Sequence, residues 1–333
     1  MTEKVTDAQA PMDRIRAEGI VDRINAYISG GVSVTRICAE CEGGFRADKL
    51  EKLLSEQALR PLHLGDWFGE PRAAEALIAL ENWADEEDRD TDRPLDEYAV
   101  TEIFRQVYGI LSVAHKARSL VAITGTYGVG KTFTARRYAM DNPRRPNEPG
   151  AVWFEFPPGT KGDSGVLDAV LAALEPYGAP NGSVNAKLDR VLTLLKPGDF
   201  LIADECGLPA EKGTGLRFMA YIHERARVPI AMIGNPAFHA AVWGKRTDYD
   251  ALASRTRHTS LDGNSSEDVA HFMDWLNLSG RRLKDSILAV VRQPGRDGGL
   301  RGAVTVLNEL KAREMEVTAE NFISIAKQYG RME

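Results

Sequence analysis

The residues with the most specific chemistry are Gly125-Thr126-Tyr127-Gly128-Val129-Gly130-Lys131-Thr132, followed by Phe133. Their spacing is G-x-x-x-x-G-K-[ST], set between the apolar run LVAIT and the helical stretch TFTARRYAM, the context in which this spacing makes a phosphate cradle. The glycines let successive backbone N–H groups turn toward one centre, and the helix N-terminus adds its dipole. Lys131 then reaches the β and γ phosphates of a nucleotide, and the Thr132 hydroxyl is a ligand for Mg2+. Hydrolysis needs acids nearby, and Phe200-Leu201-Ile202-Ala203-Asp204-Glu205 is an apolar strand ending in two of them. Asp204 is expected to hold the metal through water and Glu205 to orient the attacking water. One strand later PIAMIGN ends in Asn235, a polar amide at a strand tip that can sense a γ phosphate if the strand lies beside the one ending in Asp204.

The elements that must position these groups follow from periodicity. From Leu120 onward short apolar runs alternate with helical stretches: LVAIT, TFTARRYAM, AVWFEF, GVLDAVLAAL, then two more rounds ending at DFLIADE and PIAMIGN. That alternation predicts an α/β fold, a parallel sheet flanked by helices. Val100, Ile103, Phe104, Val107, Ile110 and Leu111 predict an amphipathic lead-in helix. From Asn264 the pattern becomes wholly helical: EDVAHFMDWLNL, KDSILAVVR, GLRGAVTVLNELKA and AENFISIAKQY. Asn264 with Glu267 reads as a capping box, and Thr318 as the cap of the last helix.

Upstream, Ile20, Ile24, Tyr27 and Ile28 line one helix, Val34, Ile37 and Cys38 begin a second after Gly30-Gly31, and Leu50, Leu53 and Leu54 stripe a third. Ala39, four residues before Gly43, has helix-turn-helix spacing. Such units also dock proteins, so DNA and protein contact both stay open. A further helix is expected from about Pro71 to Ala84. Asp85 to Pro94, DEEDRDTDRP, holds no apolar residue and reads as a solvated linker. The expected division is an N-terminal all-helical, helix-turn-helix-like module at 1–84, an acidic linker at 85–95, a P-loop core at 96–262 and a small C-terminal helical lid at 263–333.

Composition limits the function classes. The 333 residues carry 42 Lys plus Arg against 48 Asp plus Glu, a net charge of -6, with 43% hydrophobic and 27% charged residues. This excludes wholesale disorder and low complexity. No apolar run approaches the ~18 residues that span a bilayer, and the N-terminus lacks the apolar stretch of a signal peptide. A cytoplasmic protein without a membrane partner is expected. The 3 cysteines make no disulfide framework, and Cys38 with Cys41 lacks a second pair for zinc, so buried reduced thiols are expected. The acidity argues against a uniformly basic nucleic-acid coat and leaves a local basic surface open.

The P-loop, the strand ending in Asp204-Glu205, the strand ending in Asn235 and the helical lid, in this order, resemble the AAA+ superfamily. Arg301, in GGLRGAV at the start of a lid helix, resembles the arginine that reaches back to the nucleotide. Arg255, in ALASRTRH, stands where the family places an arginine finger offered to a neighbouring subunit's ATP, with Arg257 competing for that role; such a finger implies a homo-oligomer. Within the superfamily nearly the whole chain resembles the phage Mu transposition protein B family and its transposon relatives. The resemblance lies in the domain order and in GTYGVGKTFTARRY, LIADECGLPA and IAMIGNPAFHAAV.

This resemblance implies ATP and Mg2+ as cofactors and an ATPase that binds duplex DNA without sequence preference. It also implies assembly on DNA as a filament or ring, delivery of that DNA to a transposase, and release on hydrolysis. The implied DNA contacts are Arg136 and Arg137 after the P-loop, Arg144 and Arg145 in NPRRPNEPG, and Thr160 and Lys161 in PPGTKGDS, the last pair preferred. Lys and Arg suit such binding because each releases condensed counterions on meeting a phosphate. Repetition along DNA would let each subunit use only a few contacts, which reconciles the acidity with a DNA partner. The same core also serves a loader of a replication or repair protein, or a nucleotide-gated switch that binds a protein without DNA.

Overall fold

The computed structural model describes residues 14–41, 46–54, 73–90, 98–145, 148–176, 181–211, 215–244, 249–293 and 298–332. The chain opens with helices α1 (Arg14–Ser29), α2 (Val34–Glu40), α3 (Ala47–Leu54) and α4 (Ala73–Asp90). Their apolar stripes meet in one cluster that includes Ile24, Ile37, Leu50, Leu53, Leu77 and Leu80. Gly43 and Pro71 lie outside the described residues. The first part of the stretch read as a linker is helical, α4 continuing through residues 85–90. Charge pairing explains this: Arg23 of α1 meets Asp85 at 2.7 Å, and Arg36 of α2 meets Glu87. Acids that look solvated in sequence are thus partly neutralised by neighbouring helices. Residues 91–95 lie outside the described residues.

The core runs, in chain order, α5 (Glu102–Ala117), β1 (Leu120–Gly125), α6 (Lys131–Asp141), β2 (Ala151–Glu155), α7 (Gly162–Leu174), α8 (Val184–Leu194), β3 (Phe200–Asp204), α9 (Gly207–Glu211), α10 (Arg217–Ala226), β4 (Ile230–Gly234), α11 (Pro236–Trp243), α12 (Asp250–Arg255) and β5 (Arg257–Leu261). The strands form a five-stranded parallel sheet in the order β2-β3-β4-β1-β5. Successive side chains of a strand point to opposite faces. Leu120, Ala122, Leu201, Ala203, Ile230 and Met232 accordingly pack against α7, α8 and α10. Val121, Ile123, Phe200, Ile202, Ala231 and Ile233 pack against α5 and α6. Both faces are covered, which is why these strands read as continuous apolar runs. The sequence pattern missed β5, because it is an edge strand and only Leu261 of RHTSL is buried.

The lid comprises α13 (Ser266–Trp275), α14 (Arg281–Val291), α15 (Gly299–Ala312) and α16 (Ala319–Gln328), with its own core around Phe272, Ile287, Val306 and Phe322. Thr318 caps α16 as expected. The capping box of α13 shifts by one residue: Ser265 Oγ accepts from Asp268 N and Asp268 Oδ2 accepts from Ser265 N, at 3.1 and 2.8 Å. Asp268 Oδ1 also accepts from Glu102 N at 2.7 Å, which caps α5 and joins it to the lid. Asn264 is displaced from capping and bridges instead, donating to Val129 O and accepting from Leu300 N, both at 3.3 Å.

The N-terminal helices rest on the core. Met140 of α6 enters their apolar cluster, and Asp22 pairs with Arg145 at 3.1 Å. Gly31, at φ 91°, lies so close to Trp153 that a Cβ would stand 2.2 Å from the ring. All three cysteines are buried free thiols, and burial pushes Cys41 up to about 12. Among the described residues no helix is long and apolar enough to cross a membrane.

Candidate active site

Parallel pairing brings the ends of β1, β3 and β4 to one edge of the sheet. Thr124 stands opposite Gly234, and Ala203 opposite Met232, so β4 separates the P-loop from the two acids. Loops beyond the carboxyl ends of such strands form a ligand crevice. Here it is a cleft of about 280 Å³.

The P-loop turns on Gly128 (φ 73°) and Gly130 (φ 109°), left-handed values that favour glycine. Gly130 is also the N-cap of α6, so the helix's unpaired N–H groups open onto the cleft. Lys131 Nζ donates to Gly125 O at 2.9 Å and Thr126 O at 2.7 Å, folding back on its own loop. Burial lowers its pKa to about 8, against the pull of Asp204 and Glu205.

Asp204 is 3% exposed, and its Oδ1 accepts from Glu205 N at 2.8 Å. Its Oδ2 is buried without a hydrogen bond among the described residues. Burial raises this carboxyl's pKa, while Thr132, the Glu205 N–H and Lys131 pull it down. Glu205 follows at φ 52°, a left-handed conformation that costs a non-glycine residue about 1–2 kcal/mol. Burial and the Asp204 charge both raise its pKa. Asn235 caps α11 by accepting from Phe238 N at 3.0 Å, and its Nδ2 donates to Tyr127 Oη at 2.7 Å.

The lid closes one side of the cleft. Arg301 N donates to Gly128 O at 3.3 Å, and the Arg301 charge acts on Lys131 and Glu205. Phe133, expected beside the nucleotide, does line the cleft, but sequence reasoning missed the rest of the apolar wall around it, Tyr98, Phe104, Trp275 and Val304. Tyr98 lies 4.8 Å from Phe104 and 5.8 Å from Phe133, ring centre to ring centre. Its only sequence signal was the density of aromatic residues in YAVTEIFRQVY.

Other expected site residues lie elsewhere. Arg255 ends α12, pairs with Glu224 at 2.5 Å and donates to Ala251 O at 2.7 Å. Arg257 is exposed at the start of β5, and neither arginine lines the cleft. Of the six residues expected at DNA, most have intramolecular work. Arg144 meets both oxygens of the buried Asp199 at 3.1 Å and donates to Leu194 O at 2.7 Å, tying α8 to the β2 entry. Arg145 bridges Asp22 and Glu148, Arg137 pairs with Asp141 at 2.7 Å, and Arg136 lies over Trp153 at 4.2 Å. Thr160, 7% exposed, turns its hydroxyl onto Pro157 O at 2.8 Å. Lys161 is exposed at the N-cap of α7 and, among the described residues, makes no hydrogen bond or ion pair.

The donor set fits a magnesium nucleotide. A half-hidden cation lies on a glycine cradle, and the buried Asp204 carboxyl stands close enough to the Thr132 hydroxyl for that group to lower its pKa, while among the described residues its Oδ2 makes no hydrogen bond of normal geometry. Oxygen-only ligation of this kind suits Mg2+, which keeps several waters.

Residues 114–242 match the family model of the AAA domain. Among solved structures, the chain is similar to the ORC1 protein of Aeropyrum pernix in complex with DNA, at 16% identity and TM-score 0.49; the match covers 68% of this chain and 64% of that one, under two thirds of its length. It is similar to the RuvB Holliday junction branch migration motor of Thermotoga maritima, at 16% identity and TM-score 0.41, covering 67% of this chain and 68% of that one. Domain III of the Thermotoga maritima replication initiation protein DnaA matches at 15% identity and TM-score 0.44, covering 70% and 95%. No curated protein matches the sequence.

Proposed function

We propose that this chain is a cytoplasmic, Mg2+-dependent ATPase that assembles as a homo-oligomer on duplex DNA and delivers that DNA to a transposase. One observation carries the nucleotide part. Among the described residues Lys131 Nζ donates to backbone carbonyls alone, and it shares a glycine-lined cleft with Asp204 Oδ2, a buried oxygen that makes no hydrogen bond of normal geometry among those residues. Bound MgATP would supply the phosphoanhydride and the charge that both groups lack. In that reading Lys131 and the P-loop N–H groups hold the β and γ phosphates, and Thr132 and Asp204 hold the metal. Glu205, its pKa raised, orients the attacking water and accepts its proton. Asn235 and Arg301 meet the γ phosphate, and the Tyr98, Phe104 and Phe133 rings take the base.

The DNA and transposase part rests on domain order, on the resemblance of the core segments and on Lys161, an exposed cation left for a phosphate. Co-sedimentation with duplex DNA of arbitrary sequence tests it. Binding should require a non-hydrolysable ATP analogue and fall steeply with salt; no binding at low salt with the analogue present would end this reading. A second reading, a nucleotide-gated switch that binds protein, draws on the engagement of Arg136, Arg137, Arg144 and Arg145 inside the chain. It predicts nucleotide binding without DNA binding.

A further inference from the structure

We infer that Tyr127 is a positioning residue that occupies the sensing amide of Asn235 until a γ phosphate displaces it, an inference that rests on the ATPase reading above. The amide's orientation is settled by its cap: Oδ1 must accept from Phe238 N, at 3.0 Å, so Nδ2 is the group turned toward the P-loop. That donor meets Tyr127 Oη at 2.7 Å. Both residues line the cleft that holds Lys131, Asp204 and Glu205.

The loop carrying Tyr127 is backed by the lid. A Cβ on Gly299 would stand 2.8 Å from Tyr127 O, and one on Gly128 would stand 2.4 Å from Gly298 O. The backbone that carries the phenol is therefore backed by the lid. A triphosphate must replace the phenol oxygen at Nδ2 with one of its own, whereas a diphosphate has no oxygen there to offer. The bond between Tyr127 and Asn235 thus weakens triphosphate binding selectively and makes Asn235, with the helix it caps, respond to the exchange.

Affinities for a non-hydrolysable ATP analogue and for ADP, measured by calorimetry, test this. Tyr127→Phe should raise the ratio of analogue to ADP affinity by roughly two- to tenfold, the range for one net hydrogen bond. Asn235→Ser keeps an oxygen for the Phe238 cap but removes the amide donor, and in that background Tyr127→Phe should leave the ratio unchanged. An unchanged or lowered ratio in Tyr127→Phe alone, or the same rise with Asn235→Ser present, would overturn the inference and leave the ATPase reading standing. Wild-type protein that bound neither nucleotide would overturn both.

Discussion

Gly128 of the P-loop and Gly299 of the lid meet backbone to backbone, so closely that a Cβ on Gly299 would stand 2.5 Å from the Gly128 carbonyl carbon. Both have positive φ, where a side chain is strained in any case. The contact makes lid position and P-loop shape a single variable. Gly299→Ala should push the lid away, weaken nucleotide binding by about tenfold and slow turnover, in line with the ~1–3 kcal/mol of a forced overpacking. Nucleotide titration beside a thermal melt checks this; wild-type affinity in a folded variant would uncouple the lid from the P-loop.

Lys131 gives binding a defined pH dependence. Phosphate favours the charged amine, whose pKa burial has lowered to about 8 from 10.5. Affinity should therefore be full below pH 8 and fall, by up to about tenfold per unit, as pH rises through it. For the unliganded fold the sign is opposite, since the cost of the buried charge is paid below pH 8 and relieved above it. A titration series from pH 6.5 to 9.5 reads this directly, and a flat profile would remove the lysine from the phosphate site. Lys131→Ala should abolish nucleotide binding altogether.

Glu205 should separate binding from turnover. Glu205→Gln retains the shape and the half-buried position but removes the charge that orients water. Nucleotide affinity should hold while the hydrolysis rate falls by about 100-fold or more, in the range for a lost general base. Phosphate release under saturating ATP is the measurement. DNA complexes of this variant should outlive those of the wild type, and shorter-lived complexes would contradict the role.

Arg144 and Lys161 should part company. Arg144→Ala leaves the buried Asp199 without its cation and should cost about 3–5 kcal/mol of stability, read by chemical denaturation. Lys161→Ala should leave stability within about 0.5 kcal/mol, as an exposed unpaired position does. It should also lower DNA affinity and flatten its salt dependence by about one counterion per subunit. An unaltered salt slope would take Lys161 out of the DNA contact.

Much of the site was legible because its signals are local. Four strands, the P-loop, the pair Asp204-Glu205 and Asn235 declare themselves within stretches of about eight residues, since an apolar strand buried on both faces and a glycine turn need no distant partner to be recognised. β5 was hidden because an edge strand with a polar sequence carries no such signature. The helicity of residues 85–90 was hidden because their neutralising arginines lie more than fifty positions away in the chain.

The sequence by itself determined the chemistry available: which residues can hold phosphate, metal and water, and in which order the strands that carry them occur. Only the tertiary structure decided their relations. Strand order set β4 between the strand that leads into the P-loop and the strand that ends in Asp204, and so brought Asn235 to Tyr127 across 108 positions of chain. Packing of the lid brought Gly299 onto Gly128, moved Asn264 from a cap to a bridge, and consumed Arg144 inside the fold. The physical reason is the same in each case. A local pattern states what a side chain can donate, accept or bury, and the partner that takes up that capacity is chosen by which distant segment the fold brings within about 3 Å.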